Sequence, residues 1–260
     1  YEIGSGLVGS EMCIRDRHGD QILGARSNQQ DSFSILAGED ALVLVLADGM
    51  GGYTGGELAS RAAVEGCSRA FEQKSGLPGE RMKAAVTAAN EQVWSARKKR
   101  GEDDEMGTTL VAAWIGADGL RWVSVGDSLL LLIREEKMFL LNELHQYSAE
   151  LERMADEGII SREEALSHPA RHSLTSALMG KEVPLVDLRE ECFPLFPGDR
   201  VLVASDGVGP YLDSLGPAGM RYLSMLSAEE LVRSVLDGIN RDGAPNQDNA
   251  TLICAEIARA

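Results

Sequence analysis

The chain has 260 residues, of which 44% are hydrophobic and 25% are charged, a composition typical of a soluble globular protein. This length fits one large α/β domain or two smaller ones. With 25 Lys and Arg residues against 41 Asp and Glu residues, the formal net charge is −16, and such a charge repels phosphate backbones and anionic lipids. Nucleic acid and membrane surfaces are therefore excluded as expected partners, whereas divalent cations fit the charge.

The first seventeen residues are expected to lie outside the fold. Residues 1–17 show no helical or strand period and look like translated sequencing adapter, so we exclude them as a non-native or disordered segment. The alternative is a disordered native tail. Residues 18–260 contain no internal repeat and no low-complexity linker, and we expect them to form one domain.

A buried strand and two helices are predicted next. The run from Ala41 to Ala47 is continuously apolar and stops at Asp48-Gly49, which is typical of a strand buried on both faces that ends in a turn. Apolar residues then recur at three- and four-residue spacing from Leu58 to Phe71 and from Met82 to Val93. This spacing predicts two amphipathic helices, separated by the breaker at residues 76–79.

Four short apolar runs in the middle of the chain predict antiparallel strands. They span Thr109 to Ile115, Leu120 to Val125, Leu129 to Ile133 and Met138 to Leu141. Because short turns join these runs, we expect one continuous meander. Helices grouped apart from such a meander indicate an α+β protein with enough strands for two sheets, rather than a doubly wound parallel sheet.

The last part of the chain is expected to hold a helical insertion, two strands and a helix. Residues 145–172 are polar with helical spacing, which predicts a helical insertion on the surface. Strand patterns follow at Arg200 to Ala204 and Thr251 to Ile257, on either side of a helical pattern from Ala228 to Ile239.

The cysteine spacing and the hydropathy of the chain indicate in which cellular compartment the protein is expected. The four cysteines are scattered, without a CxxC pair or histidines at zinc-finger spacing, so neither a disulfide framework nor structural zinc is expected. The longest apolar run, Ala41 to Ala47, is far short of the roughly 20 residues that span a bilayer. With free thiols, no membrane span and no signal peptide, the expected location is the cytoplasm.

Four aspartates stand where apolar strand runs begin or end. Asp48, Asp127 and Asp206 follow such runs, and Asp248 comes just before the last one. Acids so placed can converge at one edge of a sheet, where their repulsion favours a hard cation such as magnesium, manganese or calcium. The alternative is that each Asp-Gly pair is only a turn signal, and that alternative weakens when the four are taken together.

Other catalytic classes lack their residue patterns. The glycine-rich stretch from Asp48 to Gly56 has neither the lysine of a P-loop nor GxGxxG spacing, which argues against nucleotide binding. There is no GxSxG sequence, and the four histidines have no Ser or Cys partner at a telling spacing. A nucleophilic triad is therefore not expected.

A series of short motifs resembles the metal-dependent type 2C protein serine/threonine phosphatase (PPM) family of bacteria. In chain order the motifs are RSNQQD (Arg26 to Asp31), DGMGG (Asp48 to Gly52), GTT (Gly107 to Thr109), VGDS (Val125 to Ser128), PGD (Pro197 to Asp199), SDG (Ser205 to Gly207) and QDN (Gln247 to Asn249). The resemblance runs from about Gly24 to Ile257. It implies a four-layer αββα sandwich of two mainly antiparallel sheets flanked by helices, in agreement with the helix and meander pattern. It also implies that residues 145–172 are a flap beside a two-metal centre.

The resemblance implies ligands for two manganese or magnesium ions. Asp48 resembles the carboxylate that bridges both ions, and the carbonyl of Gly49 resembles a ligand of the second. Asp206 and Asp248 resemble the other carboxylates of the first ion, and Asp31 resembles an acid that holds a metal-bound water.

Further roles follow from the same resemblance. Asp127 resembles an acid that helps to hold a third, weaker metal ion. Arg26 resembles the arginine that grips the substrate phosphate, for which a planar bidentate donor is well suited. Asn249 and Thr108 resemble scaffold residues.

Three positions depart from the commonest family pattern. Gln30 stands where many relatives have glutamate, so metal affinity is expected to be weaker there. Met50 stands where animal relatives have a histidine proposed as general acid, and many bacterial members share this methionine. Leu144 replaces an acid often seen before His145, and we expect His145 to be a satisfied surface histidine.

The predicted function is hydrolysis of phosphoserine or phosphothreonine in proteins by a water bridging the two metal ions, with Asp48 and Arg26 as catalytic residues. Phosphorylated proteins and a cognate Ser/Thr kinase system are the expected partners, and the expected state is a monomer. The alternative is a pseudophosphatase or phosphoprotein-binding module of the same fold, against which the retained aspartates argue. A phosphatase for a partner-switching anti-sigma antagonist would use the same chemistry, and the sequence leaves that alternative open.

Overall fold

Two antiparallel sheets and two layers of helices make up the structure, a computed structural model that describes residues 12–38, 40–52, 54–73, 76–100 and 106–259. The strands are β1 (Met12–Ile22), β2 (Asp31–Ala37), β3 (Ala41–Gly51), β4 (Met106–Thr108), β5 (Leu110–Gly116), β6 (Gly119–Val125), β7 (Leu129–Arg134), β8 (Lys137–Leu140), β9 (Asp187–Phe193), β10 (Arg200–Ala204) and β11 (Ala250–Arg259). The helices are α1 (Gly55–Glu72), α2 (Pro78–Arg100), α3 (Tyr147–Asp156), α4 (Arg162–Ser167), α5 (Gly209–Ser214), α6 (Pro217–Leu223) and α7 (Ala228–Asp242).

The two sheets pack face to face between the helices. One sheet has the order β1-β11-β10-β7-β8, and the other has the order β2-β3-β5-β6-β9, with β4 added to β3. In β3, Leu42, Leu44 and Leu46 face the other sheet, whereas the alternate residues Val43 and Val45 face α1 and α2. Because β3 is buried on both faces, its sequence is a continuous apolar run.

The outer face of the first sheet is covered by the second helical layer. Leu131 and Leu202 pack there against Leu231 and Val235 of α7. The layers therefore run helix, sheet, sheet, helix, which confirms the expected αββα sandwich of the α+β class. None of the described helices has the combination of length and apolar character that a membrane span requires.

Most elements predicted from periodicity are present. α1 and α2 contain the two helical patterns of the first half, α2 begins at Pro78, and α7 contains the pattern from Ala228 to Ile239. α3 and α4 lie within residues 145–172, so the predicted insertion there is helical.

The prediction of one continuous meander is wrong. β5 pairs with β6 and β7 pairs with β8, but β6 belongs to the second sheet and β7 to the first. The chain crosses between sheets at residues 126–128, where Gly126 has a φ of 99°, a conformation that glycine adopts without strain. A Cβ on Gly126 would also lie 2.6 Å from Thr109 Cγ2. A short connection thus changes sheets where a hairpin was expected.

The expectation that residues 1–17 lie outside the fold is wrong for residues 12–17. Residues 1–11 lie outside the described part of the chain, but the next six residues form half of β1, which pairs with β11. β1 is an edge strand with charged residues, and the register shifts between Ile14 and Asp16, so neither a continuous apolar run nor a clean alternation marks it. The origin of this segment as adapter sequence stays a prediction.

We expect removal of residues 12–17 to destabilise the fold. Ile14 packs against the core between the sheets, and Asp16 Oδ2 accepts a hydrogen bond from the backbone N–H of Ala228 at the start of α7, at 3.2 Å. Partial burial of one isoleucine and one helix cap together contribute about 2 kcal/mol. The melting temperature should fall by about 4 to 8 °C relative to a variant that begins at residue 12; an unchanged value would contradict a structural role.

Candidate active site

Four aspartates and one arginine line a single open cavity of about 330 Å³. They are Asp48, Asp127, Asp206, Asp248 and Arg26. The strand register explains why they meet, because Ala204 at the end of β10 pairs with Leu129 at the start of β7 and with Leu252 near the start of β11. Asp206, Asp127 and Asp248 are attached to these three strand ends, so the pairing brings them to one edge of the sandwich.

Asp48 and Asp31 enter the site from the second sheet. They are register partners in β3 and β2, and Asp31 lies buried beneath the cavity. Asp31 Oδ2 accepts hydrogen bonds from Thr251 Oγ1 at 2.6 Å and Ser205 Oγ at 2.8 Å, so it is fixed by the other sheet. Its Oδ1 is buried with no hydrogen-bond partner. Asp31 therefore presents its second oxygen in a buried position where its carboxyl interacts with that of Asp48.

Burial and mutual repulsion raise the pKa of carboxyl groups in the site. Burial first, and then the charges of Asp31 and Asp206, raise the pKa of Asp48 well above its usual value. Burial and the charges of Asp127 and Asp248 raise the pKa of Asp206 to about 6. Such mutual repulsion is relieved by a proton or by a cation. The site is therefore electrostatically suited to bind positive charge.

Asp127 is held by the first residues of the helical insertion at 145–172. Gln146 Nε2 donates a hydrogen bond to Asp127 Oδ2 at 2.8 Å. The His145 ring accepts a hydrogen bond at Nδ1 from the backbone N–H of Gly126, and the backbone N–H of His145 donates to the Gly126 carbonyl. Burial lowers the pKa of His145, which keeps Nδ1 available as an acceptor. The expectation of a surface histidine is wrong: His145 is buried, and it fixes the loop that presents Asp127.

Arg26 and Asp248 form an ion pair across the cavity. Arg26 Nη2 lies 2.6 Å from Asp248 Oδ2, and both side chains are partly exposed. Within the described part of the chain, no three His, Cys, Asp or Glu side chains are arranged to hold a metal ion as they stand. Asp248 is therefore held by Arg26 in the metal-free arrangement.

The donor set nevertheless fits hard divalent cations. The cavity presents carboxylates that raise one another's pKa, together with the unpartnered oxygen of Asp31 beneath them. Oxygen donors of this kind suit magnesium and manganese better than softer metals. Asp48, Asp206, Asp248 and the carbonyl of Gly49 are the residues that would hold such ions.

Gly49 lies where no side chain fits. A Cβ there would lie 2.1 Å from the carbonyl oxygen of Gly56 and 2.6 Å from that of Gln30. The start of α1 and the loop before β2 thus approach the backbone of β3 closely. This packing places the backbone of residue 49 at the cavity wall.

The protein is similar in sequence and in structure to known phosphatases. The family model of protein phosphatase 2C matches residues 18–240. Serine/threonine protein phosphatase PstP of Mycobacterium tuberculosis is 32% identical over 237 residues, covering 89% of this chain and 43% of that protein. Serine/threonine phosphatase stp of Listeria innocua is 30% identical over 189 residues, covering 70% of this chain and 73% of that protein.

The chain belongs to the protein phosphatase 2C family. A solved structure of the PstP catalytic domain in complex with two manganese ions has a TM-score of 0.72 and 28% identity, covering 95% of this chain and 99% of that one. The chain spans less than half the length of full PstP. The similarity therefore extends over the catalytic domain of that relative.

Two departures from the common phosphatase 2C pattern line the cavity. Gln30 donates through Nε2 to the Gly51 carbonyl at 3.1 Å, and its backbone N–H donates to Asn249 Oδ1 at 2.8 Å. The amide at residue 30 thus supports the glycine-rich loop. Met50 also lines the cavity, and its thioether has no proton to donate.

Several residues that line or support the candidate site were not found from sequence. Gln146, which binds Asp127, and Thr251, which binds Asp31, stand in no recognisable motif. His172 and Leu174, which follow α4, also line the cavity. Thr108, expected as scaffold, donates through Oγ1 to the Asp48 carbonyl at 2.8 Å. Only the fold brings most of these side chains to the aspartates.

We expect the metal-free protein to lose stability, relative to its Asp206→Asn variant, as pH rises. A carboxyl whose folded pKa is raised contributes stability that is complete below its unfolded value near 3.8 and is lost as pH passes the folded value, about 6 for Asp206. Thermal melts of both proteins in chelator between pH 4 and 8 measure the difference in melting temperature between the wild type and Asp206→Asn. Manganese should reverse the loss at pH 7.5. If the melting temperatures of the two proteins differ by the same amount at every pH, repulsion between Asp206 and the other site carboxylates is contradicted.

Proposed function

We propose that this protein is a metal-dependent protein serine/threonine phosphatase that hydrolyses phosphoserine and phosphothreonine. The observation that supports this most directly is that four aspartates and Arg26 line one cavity. Carboxylates bind hard cations, and a guanidinium binds phosphate through two parallel N–H donors. Together they provide the two requirements of metal-assisted phosphate hydrolysis.

The relatives support the same proposal. PstP and stp are named as serine/threonine phosphatases, and the PstP catalytic domain has been solved with two manganese ions. We assign Asp48, Gly49, Asp206 and Asp248 as ligands of two manganese or magnesium ions, with Asp31 as their buried support. Asp127 is assigned to a third, weaker ion.

The residues of the chain have distinct tasks in the proposed reaction. Bound divalent ions would supply Lewis-acid stabilisation and a water that ionises near neutral pH. Arg26 binds the phosphate oxygens and compensates the charge that develops on them. Met50 lines the cavity, and its thioether has no proton to donate, so this side chain does not protonate the oxygen of the leaving serine or threonine.

Phosphate release tests this proposal. Phosphoserine and phosphothreonine peptides are incubated with the protein in manganese, in magnesium and in chelator, and released phosphate is measured. Release that requires either metal supports the proposal. Peptide binding without metal-dependent release would instead identify a pseudophosphatase of the same fold.

The Asp127 assignment predicts a selective loss. Asp127→Asn keeps the acceptor for Gln146 but removes the charge, whereas Asp127→Ala removes both. Both variants should lower kcat by about tenfold and lose one weak manganese site of about millimolar affinity, because few protein carboxylates surround it. Isothermal titration with manganese counts the sites. The same number of sites and an unchanged kcat in both variants would make Asp127 a structural residue.

The biological setting stays a prediction. Phosphorylated proteins are the proposed substrates, and a cognate serine/threonine kinase system is the proposed source of them. The monomeric state and the cytoplasmic location are proposed on the sequence argument alone.

A further inference from the structure

An apolar groove opens directly from the candidate active site. Its volume is about 660 Å³, within the range of about 300 to 1,000 Å³ found for ligand sites. It shares Asp127, His172 and Asp206 with the cavity that holds Arg26. A substrate whose phosphate lies in the cavity therefore has this groove beside it.

The groove is built from three parts of the fold. β7 and β8 supply Leu131, Met138 and Leu140, the residue just before the helical insertion at 145–172 supplies Leu144, and α5 supplies Leu212. Leu140 is 49% exposed although it is apolar. An exposed apolar surface next to a functional site is typical of a binding surface.

Charge limits what the groove can accept. Asp127, Asp206 and Asp213 lie along it, and among its described lining residues His172 is the one basic side chain. The proposed metal ions would compensate Asp127 and Asp206, so Asp213 is the acid in the groove that would repel an acidic segment. An apolar residue with basic neighbours matches both the walls and the charge.

We propose that the groove binds a bulky apolar side chain of the phosphoprotein substrate, one to three residues away from the phosphorylated serine or threonine. This proposal rests on the proposed phosphatase function. An extended chain advances about 3.3 to 3.6 Å per residue, so such a residue lies within about 11 Å of the phosphorylated residue. Because the two cavities share walls, that distance is enough to enter the groove.

A peptide scan tests the proposal with the intact protein. Phosphothreonine peptides with a background of Ser, Gly and one Arg receive a single Leu at each position from three residues before to three residues after the phosphothreonine. Burial of one apolar side chain should raise kcat/KM by about tenfold at one or two of these positions. Equal kcat/KM for every peptide, or a preference for Asp over Leu, would overturn the proposal.

Two neighbouring residues of β8 provide the variants. Leu140 pairs with Leu131 and lines the groove, whereas Phe139 pairs with Leu132, is 44% exposed and lies outside the groove. Leu140→Gln should reduce the preference for Leu to less than threefold, and Phe139→Gln should retain it. For each variant, kcat/KM on the peptides is divided by its rate on p-nitrophenyl phosphate. This ratio removes any general loss of activity from the comparison.

The outcomes separate this inference from the proposed function. Absence of metal-dependent release from every substrate would refute the phosphatase itself. Release from all peptides without any positional preference would refute only the groove. If Leu140→Gln does not fold, the peptide scan of the wild-type protein still decides whether an apolar residue is preferred. Equal loss of that preference in Leu140→Gln and Phe139→Gln would overturn the assignment of Leu140 to the groove wall.

Discussion

Asp48→Asn should abolish phosphopeptide turnover and at the same time raise the melting temperature of the metal-free protein. Asp48 lies among the site carboxylates, and its pKa is raised well above its usual value by burial and by their charges. At a pH above the folded pKa of Asp48, where this carboxyl is ionised, the substitution relieves repulsion in the metal-free state. It also removes the anion expected to hold both metal ions. Turnover should fall by at least about a thousandfold. Removal of one charge-stabilising group from other active sites lowers kcat by about a hundredfold to a thousandfold, and Asp48 is expected to hold two ions.

The opposite signs of the two effects make this test specific. A residue with a purely structural role would lower both stability and activity when replaced. Asp237→Asn on the exposed face of α7 is the matched control, and it should change neither. Thermal melts in chelator and initial rates in manganese provide the two measurements. Retained turnover in Asp48→Asn would refute the two-metal assignment.

The sequence predicts the elements whose burial pattern is strong. β3 is buried on both faces and therefore reads as an uninterrupted apolar run, and α7 has a clear apolar face with Ser227 as its capping residue. The half-buried strands β2 and β9 carry no such pattern. Edge strands are held mainly by backbone pairing and are buried on one face at most, so their side chains give no clear hydrophobic pattern from which a strand could be predicted.

The change of sheet between β6 and β7 shows a second limit. Both strands are apolar, and the turn between them is short, which also describes a hairpin. What separates the two arrangements is the strand pairing, because β6 pairs with β5 and β9 whereas β7 pairs with β8 and β10. Local patterns do not contain such long-range contacts. Asp127 is consequently at the site because the chain crosses between sheets there.

The site aspartates were predictable for the same reason that the core strands were. Asp48, Asp206 and Asp248 adjoin strands that are buried and central, so their placement follows from the strand pattern. The side chains that orient them were not predictable. Ser205 and Thr251 bind Asp31 from the opposite sheet, and this contact depends on how the two sheets stack.

Arg26→Ala should lower kcat/KM on phosphopeptides much more than it changes manganese affinity. Loss of a bidentate contact to phosphate costs about 2 to 4 kcal/mol, which corresponds to about 30- to 1,000-fold in kcat/KM. The ion pair between Arg26 and Asp248 is exposed, at 54% and 39% for the two side chains, and such pairs contribute at most about 1 kcal/mol. Release of Asp248 should therefore tighten manganese binding by no more than about fivefold.

Arg26→Lys separates the charge of this residue from its shape. Lysine keeps the positive charge near Asp248 but cannot donate two parallel N–H groups to one phosphate. We expect Arg26→Lys to recover part of the lost kcat/KM, with manganese affinity close to that of the wild type. Initial rates over a range of peptide concentrations and calorimetric titration with manganese measure the two quantities. Unaltered kinetics in Arg26→Ala would show that this arginine serves Asp248 alone, and the phosphate would then have to be bound by other groups in the cavity.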